Sequence, residues 1–125
     1  MVFNGSQKPS GFASPAQGYE EQYIDLNRLL VKNRPATYFF KLDSRDMEHL
    51  GLPMGALLVV DRSKKPRAGS IVIIRHEGQF FCRLMARQDE KIIFTNGEER
   101  FIPTTDDTEI IGVVTASIKL YDLPY

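Results

Sequence analysis

The chain has 125 residues, of which 42% are hydrophobic, and this is enough for one domain with a core of its own. Sixteen lysines and arginines balance sixteen aspartates and glutamates, so the formal net charge is zero and direct binding to DNA is not expected. Cys82 is the single cysteine, which excludes an intramolecular disulfide, and the apolar runs are too short to span a membrane, so a cytoplasmic protein is expected.

The first 18 residues, MVFNGSQKPSGFASPAQG, are rich in glycine, serine and proline and show no hydrophobic periodicity. This composition is typical of an arm or a linker. We therefore assign residues 1–18 to an N-terminal arm and residues 19–125 to a folded domain. The arm lacks a basic segment followed by an apolar one, so no signal peptide is expected.

A short helix is predicted at the start of the domain. Apolar residues cluster after position 23, and Asp25 is placed to cap a helix over residues 26–31. Pro35 disfavours helical backbone at the residue before it, so the helix ends there. The run TYFFK at residues 37–41 then favours a strand.

The rest of the chain is predicted to be β-structure. Met54-Gly55 indicates a turn, and His76-Glu77-Gly78 and Asn96-Gly97 indicate hairpins between consecutive strands. Gly112 interrupts the last hydrophobic run and indicates a bulge. So many short strands favour a closed or strongly curled sheet. The predicted strands after the first are residues 56–61, 70–75, 79–85, 91–94, 100–102 and 109–120.

The spacing of the histidines, the cysteine and the glycines does not indicate a metal, cofactor or cysteine-nucleophile site. His49, His76 and Cys82 share no ligand spacing, and no glycine-rich phosphate loop precedes a helix. The hairpin at Glu77-Gly78 places Cys82 opposite Ile73 and away from His76, which favours a buried structural cysteine. We expect neither a metal nor a cofactor, and the basic loop RSKKPRAG at residues 62–69 is interpreted as a solvated connection.

One charged stretch, KLDSRDMEHL at residues 41–50, is flanked by core-forming sequence on both sides. Asp43, Asp46 and Glu48 could act as paired carboxylates if burial separated their pKa values. The sequence does not show such burial, and charges in a loop are usually solvated.

Five stretches occur in the order, and nearly the spacing, of a known family. The first contains G-F-x-S-P-A followed by I-D-L-N-x-L-L. On these stretches the chain resembles the UmuD-like members of the LexA-type family of self-cleaving peptidases. The resemblance implies a mostly β fold, with curled β-sheets like the LexA/UmuD C-terminal domain (a β-clip), one short helix and a flexible N-terminal arm. The stretches are SGFASPAQGYEEQYIDLNRLL, ATYFFKLDSRDM, GALLVVDRS, GSIVIIRHEGQFFCRL and EIIGVVTASIKL.

The family uses a Ser–Lys dyad and cuts its own arm before a glycine. The serine lies just before a methionine, and alignment on Met47 places Asp46 at that position. The lysine lies on a strand after a hairpin, and alignment on the GQFF segment places Arg83 there. The bond between Ser10 and Gly11 corresponds to the scissile bond.

These two replacements remove the chemistry of the dyad. Asp46 has no hydroxyl, and an arginine guanidinium stays protonated in proteins, so Arg83 cannot act as a general base. If the fold is kept, the two side chains face each other and can form a charge-assisted pair, whose disruption in a buried site costs about 3–5 kcal/mol. The alternative is two unrelated exposed charges. Ser44 could supply another nucleophilic hydroxyl if its segment were extended. The lysine near it in sequence, Lys41, is expected to belong to the preceding strand and not to serve as its base.

The resemblance implies a function in the DNA-damage (SOS) response. We expect a catalytically inactive homodimer that serves as an interaction subunit for an error-prone (translesion) DNA polymerase and a RecA–single-stranded DNA filament. The alternative is an active self-cleaving serine peptidase that cuts Ser10-Gly11, or a chain cut there by an intact partner. A third interpretation, the dimerisation half of a phage-type repressor, needs a helix-turn-helix before residue 19, where there is no room.

Overall fold

The protein folds around one seven-stranded antiparallel sheet. A computed structural model describes residues 24–98 and 100–122, so the predicted arm and the pair Ser10-Gly11 lie outside the described residues. The strands lie in the spatial order β1-β2-β7-β3-β4-β5-β6. Over these described residues the prediction of a mostly β fold with one short α-helix is confirmed. The elements are α1 (Leu26–Leu30), β1 (Thr37–Lys41), β2 (Leu57–Asp61), β3 (Ile71–His76), β4 (Gln79–Gln88), β5 (Lys91–Thr95), β6 (Phe101–Pro103) and β7 (Thr108–Ile118), with two short 3-10 helices at Arg34–Ala36 and Glu48–Leu50.

Helix α1 begins at the predicted cap. The side chain of Asp25 accepts hydrogen bonds from the backbone N–H groups of Asn27 at 3.0 Å and Arg28 at 3.4 Å. These bonds satisfy donors that the first turn of a helix leaves free. The helix ends one residue earlier than predicted, with Val31 as its C-terminal cap.

Two long strands change partner along their length. Strand β4 pairs with β3 as far as Leu84 and with β5 from Leu84 onward. Strand β7 pairs with β3 through its first half and with β2 through its second half, the two ladders meeting at Val113. The sheet is therefore staggered, and β7 lies inside it rather than at an edge.

The predicted irregularity at Gly112 is present. Ile73 pairs with Gly112 but Ile74 pairs with Ile110, so one residue of β7 is bulged out of the ladder. A Cβ atom on Gly112 would lie 2.7 Å from Cγ1 of Val60. Glycine is required there because β2 approaches the backbone of β7 closely.

The interior forms two apolar clusters. Alternation along β3 places Ile73 in the first cluster and Val72 and Ile74 in the second. The first cluster also takes Met47, which is completely buried, so the charged stretch is anchored in the core by one apolar side chain. Its members are Leu42, Met47, Leu52, Ala56, Leu58, Val60, Ile73 and Cys82.

Candidate functional site

Met47 anchors the turn that carries Asp46 in the core. The carbonyl oxygen of Met47 accepts hydrogen bonds from the N–H groups of Leu50 at 3.0 Å and Leu52 at 3.1 Å. These bonds close the 3-10 helix Glu48–Leu50. With Met47 in the core, the side chain of Asp46 is directed to the rim of the molecule, where it is 48% exposed.

The position of Arg83 is set by the hairpin between β3 and β4. Glu77 and Gly78 both have positive φ angles, 52° and 79°, as a two-residue hairpin turn requires. This turn places Arg83 opposite Val72 and Cys82 opposite Ile73, so the predicted register of Cys82 is confirmed. The side chain of Arg83 is only 13% exposed.

The two side chains meet. Nη2 of Arg83 lies 3.3 Å from Oδ2 of Asp46, and Nη1 donates a hydrogen bond of 2.8 Å to the backbone carbonyl of Cys82. The guanidinium carbon lies 5.2 Å from the centre of the Phe81 ring. Three contacts therefore hold the guanidinium in one orientation.

The expectation of a buried pair is only half correct. Arg83 is largely enclosed, but Asp46 keeps about half of its side chain in water. Removing Arg83 would leave Asp46 hydrated, so the cost of breaking the pair is below the value for a fully buried pair. The geometry allows the two side chains to pair their charges. It does not allow Arg83 to act as a base, because a protonated guanidinium has no lone pair with which to take a proton.

Ser44 has a local structural contact. Its hydroxyl oxygen accepts a hydrogen bond of 3.0 Å from the N–H of Asp46, two residues later. This is the pattern of a serine turn, so the extended backbone that would place both side chains on one face is absent at this point. Lys41 is the last residue of β1, as predicted.

The remaining candidates lie in separate environments. Cys82 is buried in the first cluster, and burial raises the pKa of its thiol to about 11. Nδ1 of His76 lies 2.8 Å from the hydroxyl of Thr108, whereas His49 lies 3.9 Å from a carboxylate oxygen of Glu98. In residues 24–98 and 100–122, no group of three histidine, cysteine, aspartate or glutamate side chains is placed to hold a metal ion.

One support of the site was not predicted from the sequence. The loop after β5 packs on Leu50, so closely that a Cβ atom on Gly97 would lie 2.7 Å from Cδ2 of Leu50. Asn96 beside it is buried, and its side-chain oxygen accepts a hydrogen bond from the N–H of Glu98. The Asn96-Gly97 pair predicted a turn, but the sequence carries no signal that this turn braces the segment after Met47.

Comparison with known proteins identifies the family. The sequence profile described as Peptidase S24-like matches residues 2–115. The chain belongs to the Peptidase S24-like family. Within this family it is similar to protein SamA of Salmonella typhimurium, with 34% identity over 110 residues that cover 88% of this chain and 79% of SamA. These findings confirm the resemblance to UmuD-like proteins.

Two further relatives of this peptidase family match in the same way. Protein MucA of Escherichia coli is 34% identical over 113 residues, covering 87% of this chain and 77% of MucA. Protein ImpA of Escherichia coli is 44% identical over 79 residues, covering 62% of this chain and 54% of ImpA. Together the relatives support a role in SOS error-prone repair.

In the described ranges, no helix is both long and apolar enough to cross a membrane.

Proposed function

We propose that this protein is a catalytically inactive UmuD-like subunit of the SOS response. It acts as a homodimer that binds an error-prone (translesion) DNA polymerase and a RecA filament. The observation that carries the proposal is the contact of 3.3 Å between Arg83 and Asp46, the residues aligned with the lysine and serine of the family's dyad.

The contact gives a physical reason for inactivity. A Ser–Lys dyad needs a hydroxyl as nucleophile and a neutral amine as base. Here the corresponding positions carry a carboxylate and a guanidinium, and these opposite charges attract each other. The pair keeps the turn and β4 together, so the substitution preserves the fold and removes proton transfer.

The arm supports a competing function. Its sequence keeps Ser10-Gly11 within SGFASPA, the segment that corresponds to the family's cleavage site. A chain without a dyad could still be cut there by an intact family member. We therefore treat cleavage by the chain itself and cleavage in trans as separate questions.

Cleavage by the chain itself is tested on the purified full chain. The protein is incubated with RecA, single-stranded DNA and a nucleotide, and in parallel at alkaline pH. Mass spectrometry is expected to find only the intact mass in both samples. The appearance of residues 11–125 would contradict the proposed inactivity.

Cleavage in trans is tested by adding an active UmuD-like protein to the same mixture. The variant Gly11→Val is the matched control, because it alters the proposed scissile pair and leaves residues 24–122 unchanged. A fragment from the unmodified chain and none from the control would assign the arm as a substrate. Cleavage elsewhere in the arm would contradict the alignment at Ser10-Gly11.

The binding role is tested separately. Size-exclusion chromatography with light scattering is expected to give twice the chain mass of 14.2 kDa. Co-purification with an error-prone polymerase and with RecA on single-stranded DNA tests the two partners. A strict monomer that binds neither partner would contradict the interaction role.

A further inference from the structure

Although the net charge of the whole chain is zero, one end of the molecule is strongly basic. Two segments far apart in sequence, around α1 and in the loop between β2 and β3, carry cations and no acidic residue over residues 28–34 and 62–67. We call this surface the basic end. Its cations are Arg28, Lys32 and Arg34 in the first segment and Arg62 and Lys64 in the second.

Direct contacts hold the two basic segments together. The side-chain amide of Asn33 donates a hydrogen bond of 3.1 Å to the hydroxyl of Ser63. Arg62 of the second segment also contacts β1, the strand that follows the first segment: it donates to the hydroxyl of Tyr38 at 3.3 Å, and its guanidinium carbon lies 5.6 Å from the centre of that ring. Lys32 and Lys64 line one cleft of about 430 Å³ between the segments.

The arginines of the basic end have few acidic neighbours. Among residues 24–98 and 100–122, the arginines within 4.0 Å of a carboxylate are Arg45, Arg75 and Arg83, and all three lie elsewhere. Two aspartates flank the basic segments. Asp25 accepts from the first turn of α1. Asp61 accepts from Ser63, and this hydrogen bond lowers the pKa of the Asp61 carboxyl.

A second cleft beside α1 combines two of these arginines with an aromatic ring. Arg28, Arg34 and Phe39 line a cleft of about 410 Å³, together with the polar side chains of Asn27 and Thr37. The Phe39 side chain stands on β1, the outer strand of the sheet, and the residue is 54% exposed. A phenylalanine this exposed contributes little to the core.

We propose that the basic end binds single-stranded nucleic acid. The arginines and lysines take backbone phosphates, and Phe39 stacks on a base. Sites for single strands combine these two elements, a cationic track and an aromatic platform, because every base offers a face for stacking. An acidic protein would need the cations but not the exposed ring in the same cleft. The inference goes beyond the proposed function, which involves protein partners, and it revises the expectation drawn from net charge.

Fluorescence anisotropy with a fluorescein-labelled 20-mer of oligo-dT tests this on the full chain. Binding is expected to weaken steeply between 50 and 200 mM NaCl, because binding to phosphates releases counterions. Arg28→Glu/Arg34→Glu should weaken binding at least about tenfold and reduce the log–log salt slope by about 1.4, or about 0.7 for each phosphate that the variant no longer neutralises. No binding at 50 mM NaCl would overturn the proposal.

A matched control separates a local site from general attraction. Arg87→Glu/Arg100→Glu makes the same change in net charge at two exposed arginines outside the basic end. This variant should bind within about threefold of the unmodified chain. Equal weakening by both double variants would show that no local site exists. Circular dichroism checks the fold, and Lys32→Glu/Lys64→Glu, at two exposed lysines of the cleft between the segments, replaces the first variant if that one unfolds.

The stacking contact is tested at Phe39. Phe39→Ala should weaken oligo-dT binding about tenfold, whereas Phe39→Tyr keeps a ring and should bind like the unmodified chain. Equal affinities for all three would contradict the stacking role. Poly-glutamate is added as a competitor at the same charge concentration as oligo-dT. If it displaces the oligonucleotide as well as unlabelled oligo-dT does, the basic end is a site for acidic proteins and the proposal fails.

Discussion

Two arginine–carboxylate pairs lie on neighbouring strands, and they differ in how the sheet holds them. Arg75 on β3 lies directly opposite Glu109 on β7, so its partner is a neighbour in the ladder, and both side chains are about half exposed. Arg83 on β4 takes its partner from a turn 37 residues earlier in the chain. Arg83 is also largely enclosed, and it contacts a backbone carbonyl and the Phe81 ring.

The difference shows that the same two kinds of charge can serve different structural purposes. The pair Arg75–Glu109 is an ordinary cross-strand pair, which contributes about 0.2–1 kcal/mol. The pair Asp46–Arg83 joins a turn to a strand that the sheet does not otherwise connect, and its guanidinium is largely shielded from water. The energetic contrast between the two pairs can be measured.

The largest effect is expected at Cys82, on the opposite face of β4 from Arg83. Burial raises the pKa of this thiol from 9.0 to about 11, which lowers the thiolate fraction near pH 8 about a hundredfold. Cys82 in the native protein should therefore react with Ellman's reagent at least about a hundred times more slowly than in the unfolded chain. A native thiol that reacts at the unfolded rate would show that water enters this face of β4 freely.

The next largest difference between the two pairs is expected in the free energy of unfolding when each arginine is replaced by alanine. Arg83→Ala removes the ion pair, the hydrogen bond to Cys82 and the packing on Phe81, and is expected to lower the free energy of unfolding by about 2 kcal/mol. Arg75→Ala is the matched control and should cost less than about 0.5 kcal/mol. Urea unfolding of both variants gives the two values, and equal decreases would remove the distinction between the pairs.

Alkaline pH gives a third contrast. Above pH 9 the unfolded chain releases the Cys82 proton, whereas the folded chain retains it up to about pH 11. The unfolded state then binds fewer protons, so this group lowers the free energy of unfolding as the pH rises, by about 1 kcal/mol between pH 9 and 10. Urea unfolding should show this part of the slope in the unmodified chain and not in Cys82→Ala. Parallel pH profiles for the two would contradict the raised thiol pKa.

Neutralising the carboxylates should produce the smallest effects. Asp46→Asn leaves Arg83 without its charged partner but keeps the hydrogen bond to Cys82, so a decrease of about 1 kcal/mol in the free energy of unfolding is expected. Glu109→Gln should change stability by less than about 0.5 kcal/mol. Double-mutant cycles on the two pairs test the contrast without assuming either single value. A larger coupling at Arg75–Glu109 than at Asp46–Arg83 would reverse the ranking.

Local signals in the sequence predicted most of the sheet. The pair Glu77-Gly78 fixes its hairpin because a two-residue turn with positive φ angles leaves one register, and the facing of Ile73 and Cys82 followed from it. Strand β4 runs to Gln88, three residues beyond its predicted end, because pairing with β5 continues it after the ladder with β3 ends. That extension depends on a partner strand and has no local signal.

The sequence also predicted which two residues form the candidate site. Alignment on Met47 and on the GQFF segment chose Asp46 and Arg83, and the structure brings them together. The exposure of Asp46 could not be predicted, because it depends on Met47 directing the turn to the rim. The basic end was missed for a related reason: a net charge sums over the whole chain, whereas the contact between Asn33 and Ser63 brings two cationic segments to one place.

We propose that the pair Asp46–Arg83 stands where a working dyad would stand. The most direct test is the mass of the double variant Asp46→Ser/Arg83→Lys after incubation at alkaline pH, where the lysine can lose its proton. We expect the folded double variant to be cut between Ser10 and Gly11, while the unmodified chain and each single variant remain intact. An uncut but folded double variant, or an unmodified chain that yields residues 11–125, would contradict it.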